Sequence, residues 1–376
     1  MSRGRRKGLS IERALLEVIT SGATSRSDLA LRLGASKATI SRLVDQLIRN
    51  EWLGEGAPVR VAERGRNAIE LLPRADLGYA VGADLEGMAI RVCLFDCQRN
   101  VIKSRRTQID ATWSIDRIVD HWRLLITEVI ESADVSVDQL IALGLALPGA
   151  VPRGASSAGL EEVKGFSAQF DVDHAFGDLG VPIVTNDNTL CVADYERRFG
   201  VAQDTANFAA VLVRFGVGAA VFCRDHFAIG EDLPCSELGH VRVREDGDEC
   251  FCGERGCLDA SAAGRTWPEE VLRVGSQWDS DLTSRARDLG AGIGHLVKLI
   301  HVPVVVVNGI FNEYEDRIRE DIDESLATVL NPLGLEVPEI RMGDQLEYKA
   351  CLGAGLRAID ESLASYLAAR QMPTAT

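Results

Sequence analysis

Apolar residues recur at helical spacing behind three separate serines near the start of the chain. The spacing predicts a first helix capped by Ser10 that ends near Gly22. Ser25 is predicted to cap a short second helix that stops at Gly34, and Ser36 to open a third helix. The apolar positions are Ile11, Leu15, Leu16, Val18 and Ile19, then Leu29 and Leu33, then Ile40, Leu43, Val44 and Leu47. The second and third helices are separated by a turn that contains glycine, which predicts a helix-turn-helix. We also expect this module to have a hydrophobic core of its own.

Two short extended runs follow, at residues 59–62 and 67–71, and they predict the hairpin of a winged helix. Arg64 and Arg66 lie between these runs, where they would enter the minor groove of DNA or clamp phosphate. The first turns of the third helix are predicted to read base edges through Lys37, Thr39, Ser41 and Arg42. The alternative is a helical protein-interaction module whose basic residues are simply solvated.

From Gly78 the pattern changes to apolar runs typical of buried strands, separated by amphipathic stretches. Predicted strands cover residues 79–83, 89–95, 140–146, 208–213 and 304–307, a further strand within 182–188 ends in a polar turn, and predicted helices cover 114–133 and 351–370. Such alternation predicts an α/β fold. Residues 73–77 are interpreted as a linker, so we predict a winged helix-turn-helix domain at 1–76 and a body at 77–376.

Charge differs sharply between these two parts. Residues 1–76 have a net charge of +5 and the remainder has −20, which together give the −15 of the whole chain. Phosphate contacts are made by local cations, so a basic module on an acidic body fits DNA binding by one end of the protein.

The nine cysteines do not resemble a disulfide framework. Six of them are scattered through apolar segments, where we expect buried thiols: Cys93, Cys97, Cys191, Cys223, Cys235 and Cys351. The N-terminus lacks the apolar run of a signal peptide, and no apolar window is long enough to span a bilayer. We therefore predict a cytoplasmic protein without a membrane role.

The other three cysteines lie with a histidine in one short segment, residues 237–259. One imidazole and three thiolates suit tetrahedral zinc, and four protein ligands leave no open position for a reactive water. We predict a structural zinc ion bound by His240, Cys250, Cys252 and Cys257. The alternatives are a chance grouping of cysteines or a redox pair with one thiol left over.

The spacing in this segment resembles the signature of the ROK family of sugar kinases and repressors. The matching positions are Glu237, Gly239, His240, Cys250, Cys252, Gly253, Gly256 and Cys257. The sequence departs at Ser236, where the family often has Gly, and at Asp259, where it usually has Glu. The resemblance extends from Gly78 to the C-terminus and implies a two-lobed, actin-like ATPase fold. The smaller lobe would comprise residues 77–187 with the C-terminal helix, and the larger lobe residues 188–350.

The resemblance also implies a sugar site. Asn186 and Asp187 match a motif of the kinases in which the Asp is the general base for the sugar hydroxyl and the Asn holds the sugar. Glu237, His240 and Asp259 would complete an effector site between the lobes. Taken alone, the turn at Asp187 is equally typical of a helix N-cap.

All three turns that contact nucleotide in the family's kinases are altered. In the first, Glu86 and Met88 stand in place of a Gly and the Thr, and in the second Phe215 replaces the Thr. Asn308 precedes Gly309 where nucleotide-binding members usually have two glycines. Phosphate cradles need close approach to backbone N–H groups, which side chains hinder.

We therefore predict a sugar-responsive, DNA-binding transcription regulator of ROK type, a repressor and not an enzyme. Its expected partners are an operator in double-stranded DNA and a sugar or sugar-phosphate effector, and the expected assembly is a homodimer or homotetramer. An ATP-dependent sugar kinase is the main alternative. A repressor that responds to a protein ligand is the third.

Overall fold

The computed structural model describes residues 10–21, 25–59, 68–86, 89–110, 113–147, 171–224, 226–229, 237–250, 252–264 and 276–369. Three helices and a hairpin form its N-terminal part: α1 Ile11–Ser21, α2 Arg26–Arg32, α3 Lys37–Arg49, β1 Leu53–Val59 and β2 Ala68–Pro73. The three predicted serine caps are confirmed, since Ser10, Ser25 and Ser36 each accept a backbone N–H three residues ahead, at 3.2, 3.1 and 3.1 Å.

The antiparallel hairpin of β1 and β2 is also present, but its first strand was predicted too late in the chain. It begins at Leu53 and ends at Val59, and it pairs with residues 68–73. Pro58 lies beside a register shift, where a residue without an N–H is tolerated. Arg64 and Arg66 lie outside the described residues, so their predicted DNA contacts stay predictions.

The first lobe contains a five-stranded sheet in the order β5-β4-β3-β6-β7. Its elements are β3 Tyr79–Glu86, β4 Ala89–Asp96, β5 Val101–Gln108, α4 Ile115–Glu131, β6 Leu140–Leu147, α5 Val172–Phe176 and β7 Ile183–Asp187. The strand predicted to end at residue 83, before a turn at 84–87, is longer than expected, because β3 continues through Glu86 and Asp84 pairs in register with Arg91 of β4. Trp122 of α4 and Phe176 are fully buried in the core of this lobe.

A second five-stranded sheet, in the order β10-β9-β8-β11-β12, forms the second lobe. After the connecting helix α6 Asn188–Arg198, its elements are β8 Asn207–Val213, β9 Val217–Cys223, β10 His226–Ile229, α7 Leu258–Ala262, α8 Ser276–Leu299, β11 Val304–Gly309, α9 Glu315–Leu330 and β12 Glu339–Met342. Both sheets combine three antiparallel strands with two parallel ones in the same order. The predicted two-lobed α/β architecture is confirmed.

The last helix, α10 Lys349–Ala369, packs on strands β3 and β6 of the first sheet. It packs closely on β6, where a Cβ on Gly144 would overlap the carbonyl of Ala354. The same helix contacts α6 on one side and α1 on the other, so it joins the lobes to the N-terminal helices. Within the described residues, no helix combines the length and apolar character needed to cross a bilayer.

The N-terminal helices do not have a core of their own, contrary to the prediction. One continuous hydrophobic cluster contains Leu15 and Ile19 of α1 together with Ile359 and Leu363 of α10. The predicted linker is a short 3-10 turn, and its last residue, Leu77, is buried in the same cluster. Burial of apolar surface between the two parts therefore holds the helix-turn-helix against the body.

Candidate functional site: a metal loop beside an interlobe corner

The four predicted zinc ligands lie together. One donor atom from each of His240, Cys250, Cys252 and Cys257 falls within 4.8 Å of the others. His240 ends a 3-10 turn, Leu238–His240, and the cysteines flank a tight loop closed by a bridge between Arg242 and Cys257. Gly256 has a φ of +75°, and a Cβ there would overlap the Arg244 carbonyl, so this turn requires glycine.

The spacing of the donors fits a tetrahedral metal. Cys252 Sγ lies 3.8 Å from Cys257 Sγ, and Cys250 Sγ lies 3.6 Å from His240 Nδ1. The edge of a tetrahedron built on zinc–sulfur bonds of roughly 2.3 Å is about 3.8 Å. These residues can therefore hold zinc without large movement.

The thiols differ in their acidity. Burial raises the pKa of Cys257 to about 12, whereas a backbone hydrogen bond from Glu254 lowers the pKa of Cys252. Cys252, which is exposed, is therefore the thiol that ionises most readily. A metal would have to displace the proton of Cys257, as ligation by thiolate requires.

The two acidic residues of this segment have different environments. Glu237 is exposed, and its Oε2 lies 3.9 Å from Nε2 of His240. Asp259 is buried at the start of α7, where its Oδ1 accepts the backbone N–H of Val217 at 2.7 Å. Asp259 thus ties the metal loop to the first residue of β9.

Asn186 and Asp187 lie at the end of β7 in the first lobe. Asp187 is buried and caps α6, since its Oδ1 accepts the N–H groups of Thr189 at 2.7 Å and Leu190 at 3.3 Å. Asp187 is therefore the N-cap of α6, which is one of the two roles that the sequence allowed for it. Asn186 Oδ1 accepts from Arg357 Nε at 2.9 Å, while its buried Nδ2 has no partner among the described residues. A donor of this kind suits a ligand oxygen.

These two groups of residues approach each other at one corner. A Cβ on Gly218 would lie 2.5 Å from Thr189 Oγ1, so the start of α6 packs directly on β9. Val217, the preceding residue of β9, is the one held by Asp259. The structure thus brings the end of β7 to the strand that the metal loop positions, at the junction of the two lobes.

One described residue from each altered turn contacts another part of the protein, namely Asp84, Phe215 and Asn308. Asp84 is fully buried and paired with Arg91, whose Nη1 lies 3.1 Å from Oδ1. Phe215 packs against the core of the first lobe. Asn308 is buried and its Oδ1 accepts from the ammonium of Lys349 at 2.8 Å.

Sequence reasoning missed Arg91 and Lys349. Arg91 is the one charged residue inside the otherwise apolar run 89–95, a signal that could have suggested a buried partner. Lys349 also pairs with Glu196 at 2.5 Å, across 153 residues of sequence, and no local pattern predicts that contact.

The predicted DNA-reading residues lie on the first turns of α3. Lys37 and Arg42 are exposed, and Thr39 and Ser41 are partly exposed, whereas Ile40, Val44 and Leu47 on the opposite face are buried. Thr39 Oγ1 is within 2.8 Å of Ser36 Oγ, so this hydroxyl also takes part in the cap. The face is thus available to a partner.

The family model described as "ROK family" matches residues 80–360. The transcriptional dual regulator NagC of Escherichia coli K12 is 22% identical over 89% of this chain and 88% of its own length. The xylose repressor of Bacillus subtilis is 23% identical over 86% and 85%, respectively.

Solved structures of two kinds resemble the fold. A ROK family transcriptional regulator, described as a homologue of the E. coli Mlc protein, aligns with a TM-score of 0.69 at 17% identity and covers 96% of this chain and 98% of its own. A ROK family glucokinase from Streptomyces griseus, in complex with glucose and AMPPNP, aligns with a TM-score of 0.62 at 20% identity and covers 74% of this chain and 98% of its own.

Proposed function

The chain belongs to the ROK family, and on that premise we propose that it is a sugar-responsive transcription repressor that binds operator DNA and does not phosphorylate sugar. The main support is the N-terminal winged helix-turn-helix packed on the body. The transcriptional regulator of known structure covers 96% of the chain, including this part, whereas the glucokinase covers 74%. The relatives named as NagC and xylose repressor agree with this proposal.

The effector site that we propose lies at the interlobe corner. Asn186 and Asp187 would bind sugar hydroxyls from the first lobe, and Glu237, His240 and Asp259 would bind from the metal loop. Zinc, when bound to His240 and the three cysteines, supplies a rigid cross-link that orients this loop, because a site with four protein ligands has no position left for chemistry. A sugar held between the lobes would favour one interlobe angle and so one spacing of two recognition helices in a cytoplasmic homodimer or homotetramer.

Loss of kinase chemistry is expected because the phosphate turns bind protein side chains. Asp84, the one acidic residue of the first turn that matches the kinases, is neutralised by Arg91 within hydrogen-bonding distance. A coupled ATP-hydrolysis assay with D-glucose, D-xylose and N-acetylglucosamine should show no sugar-dependent turnover. Sustained turnover with any of them would support the kinase alternative instead.

Replacing Arg42 with Ala is expected to weaken binding to the specific operator by about 1–3 kcal/mol and to change binding to random duplex little, if Arg42 reads a base. The measurement is a binding titration on a duplex enriched from a random pool and on a scrambled duplex. Arg49→Ala, at the other end of α3, is the matched control. Equal losses on both duplexes for Arg42→Ala would assign this side chain to phosphate alone.

Replacing Asp187 with Ala should lower sugar affinity about 10- to 100-fold, the scale of hydrogen bonds to a charged group. The same change removes the cap of α6, which costs about 1 kcal/mol. Asp187→Ser separates the two effects, since serine still caps a helix but lacks the carboxylate. Calorimetry should show both variants equally impaired with unchanged zinc content. Full affinity in Asp187→Ser would show that Asp187 acts only as a cap.

A further inference from the structure

The C-terminal end of α1 is held by arginines from the body. Arg198 Nη1 donates to the carbonyl of Thr20 at 2.7 Å, and Arg99 Nη1 donates to the carbonyl of Ile19 at 3.1 Å. The last turn of α1 has no basic residue of its own. Because exposed carbonyls and the helix dipole make this end negative, the two guanidinium groups stabilise it from outside.

Arg198 belongs to a buried network that continues toward the effector site. Its Nε donates to Asp194 Oδ2 at 2.9 Å, and its Nη2 pairs with Asp360. Asp194 is fully buried, and Arg357 Nη1 lies 3.7 Å from its Oδ2. Arg357 in turn donates through Nε to Asn186 at 2.9 Å.

Electrostatics keeps this network charged. Burial by itself raises the pKa of Asp194, but the guanidinium groups of Arg198, Arg197 and Arg357 more than offset it, so the pKa lies well below its usual range. Removal of one charge would leave another buried without compensation. The groups therefore respond to a change at one end as a unit.

The network has room to rearrange. A polar cavity of ≈180 Å³ is lined by Arg198, Arg357, Asp360, His226 and Glu361, among others. Side chains at its edge can exchange partners without disturbing the packed core, unlike the apolar residues between α1 and α10.

We propose that the chain Asn186–Arg357–Asp194–Arg198–Thr20 is a relay that couples the effector site to the DNA-binding helices. This inference rests on the proposed function, since it takes Asn186 as a sugar ligand. A ligand that satisfies Nδ2 of Asn186 reorients the amide, and Arg357 then redistributes its contacts between Asn186 and Asp194. Arg198 is the positioning residue at the far end of the relay. A change in its hydrogen bond to the Thr20 carbonyl shifts the end of α1, and α3, which packs on α1, moves with it.

One arm of the test needs no sugar. We expect Arg198→Lys, which keeps the charge but loses the planar fork, to speed amide hydrogen exchange at the end of α1 at least about fivefold. Arg197→Lys is the matched control, because it makes the same change of guanidinium to ammonium beside Asp194, which Arg197 contacts at 2.6 Å, while the hydrogen bond to Thr20 belongs to Arg198. Asn186→Ala should also speed amide exchange at the end of α1, at least about twofold. The same substitution should have no further effect in a protein that already carries Arg357→Met, because the relay is interrupted there.

The other arm measures the ratio of operator affinities without and with D-glucose, D-xylose, N-acetylglucosamine or their phosphate esters. Arg357→Met should bind the sugar within about threefold of the wild-type affinity. Its ratio of operator affinities without and with sugar should nevertheless be at least about fivefold smaller than that of the wild type. An unchanged ratio in this variant, or α1 exchange that is insensitive to Asn186→Ala, overturns the relay. If no sugar changes the wild-type ratio, the proposed effector function fails, and the exchange arm alone decides the relay.

Discussion

A Cys252→Ser protein is expected to lose its zinc and its sugar response together. A structural zinc site contributes roughly 10–16 kcal/mol, so an equal share for one of four ligands is about 2.5–4 kcal/mol. The loop that would loosen carries Asp259, which holds the start of β9 through Val217. Metal analysis, a thermal melt and sugar calorimetry on the same preparation measure the three consequences.

Operator binding without sugar should survive in this variant. The metal loop packs through Leu258 on the core of the second lobe, whereas α1 to α3 belong to the cluster shared with α10. Cys223→Ser is the matched control, since Cys223 lies at the end of β9 outside the ligand set. Full sugar affinity in a zinc-free Cys252→Ser protein would show that the metal does not organise the effector site.

Truncation of Leu363 to Ala is expected to destabilise the N-terminal helices α1 to α3 and the first lobe by about 2–5 kcal/mol, in one transition. Leu363 is 2% exposed and lies in the cluster that joins α10 to Leu15 and Ile19. If the N-terminal domain had a separate core, a cavity in the body would not change that domain's free energy of unfolding. Denaturant unfolding followed by hydrogen exchange in α1 and in β6 measures whether the two parts open together.

Leu326→Ala provides the comparison. Leu326 is fully buried in α9, but its contacts are with the core of the second lobe. Its loss should cost a similar free energy while leaving exchange in α1 near the wild-type rate. Retention of α1 protection in Leu363→Ala, with only the body destabilised, would contradict the shared core and restore an autonomous N-terminal domain.

Local features of this protein were predictable because their causes lie within a few residues. Ser25 and Ser36 cap helices through N–H groups three positions away, which the sequence displays directly. The four candidate metal ligands fall within 18 positions, and glycine at 256 permits the turn that brings them together. Strand ends were less predictable, and β3 ends at Glu86, three residues beyond the predicted end at residue 83, because Asp84 has a cross-strand partner in Arg91.

The sequence by itself determined the α/β class, the helix-turn-helix, the cluster of candidate metal ligands and the family, since periodicity, capping and donor spacing are local properties. Only the tertiary structure decided that Arg198 would meet Thr20 across 178 positions, and that Leu363 would share a core with α1. The local sequence around an arginine or a leucine does not indicate which distant residue its side chain will contact. The packing of α10 between both lobes and α1 selects that partner, because buried charge and apolar surface must be matched wherever the chain brings them together.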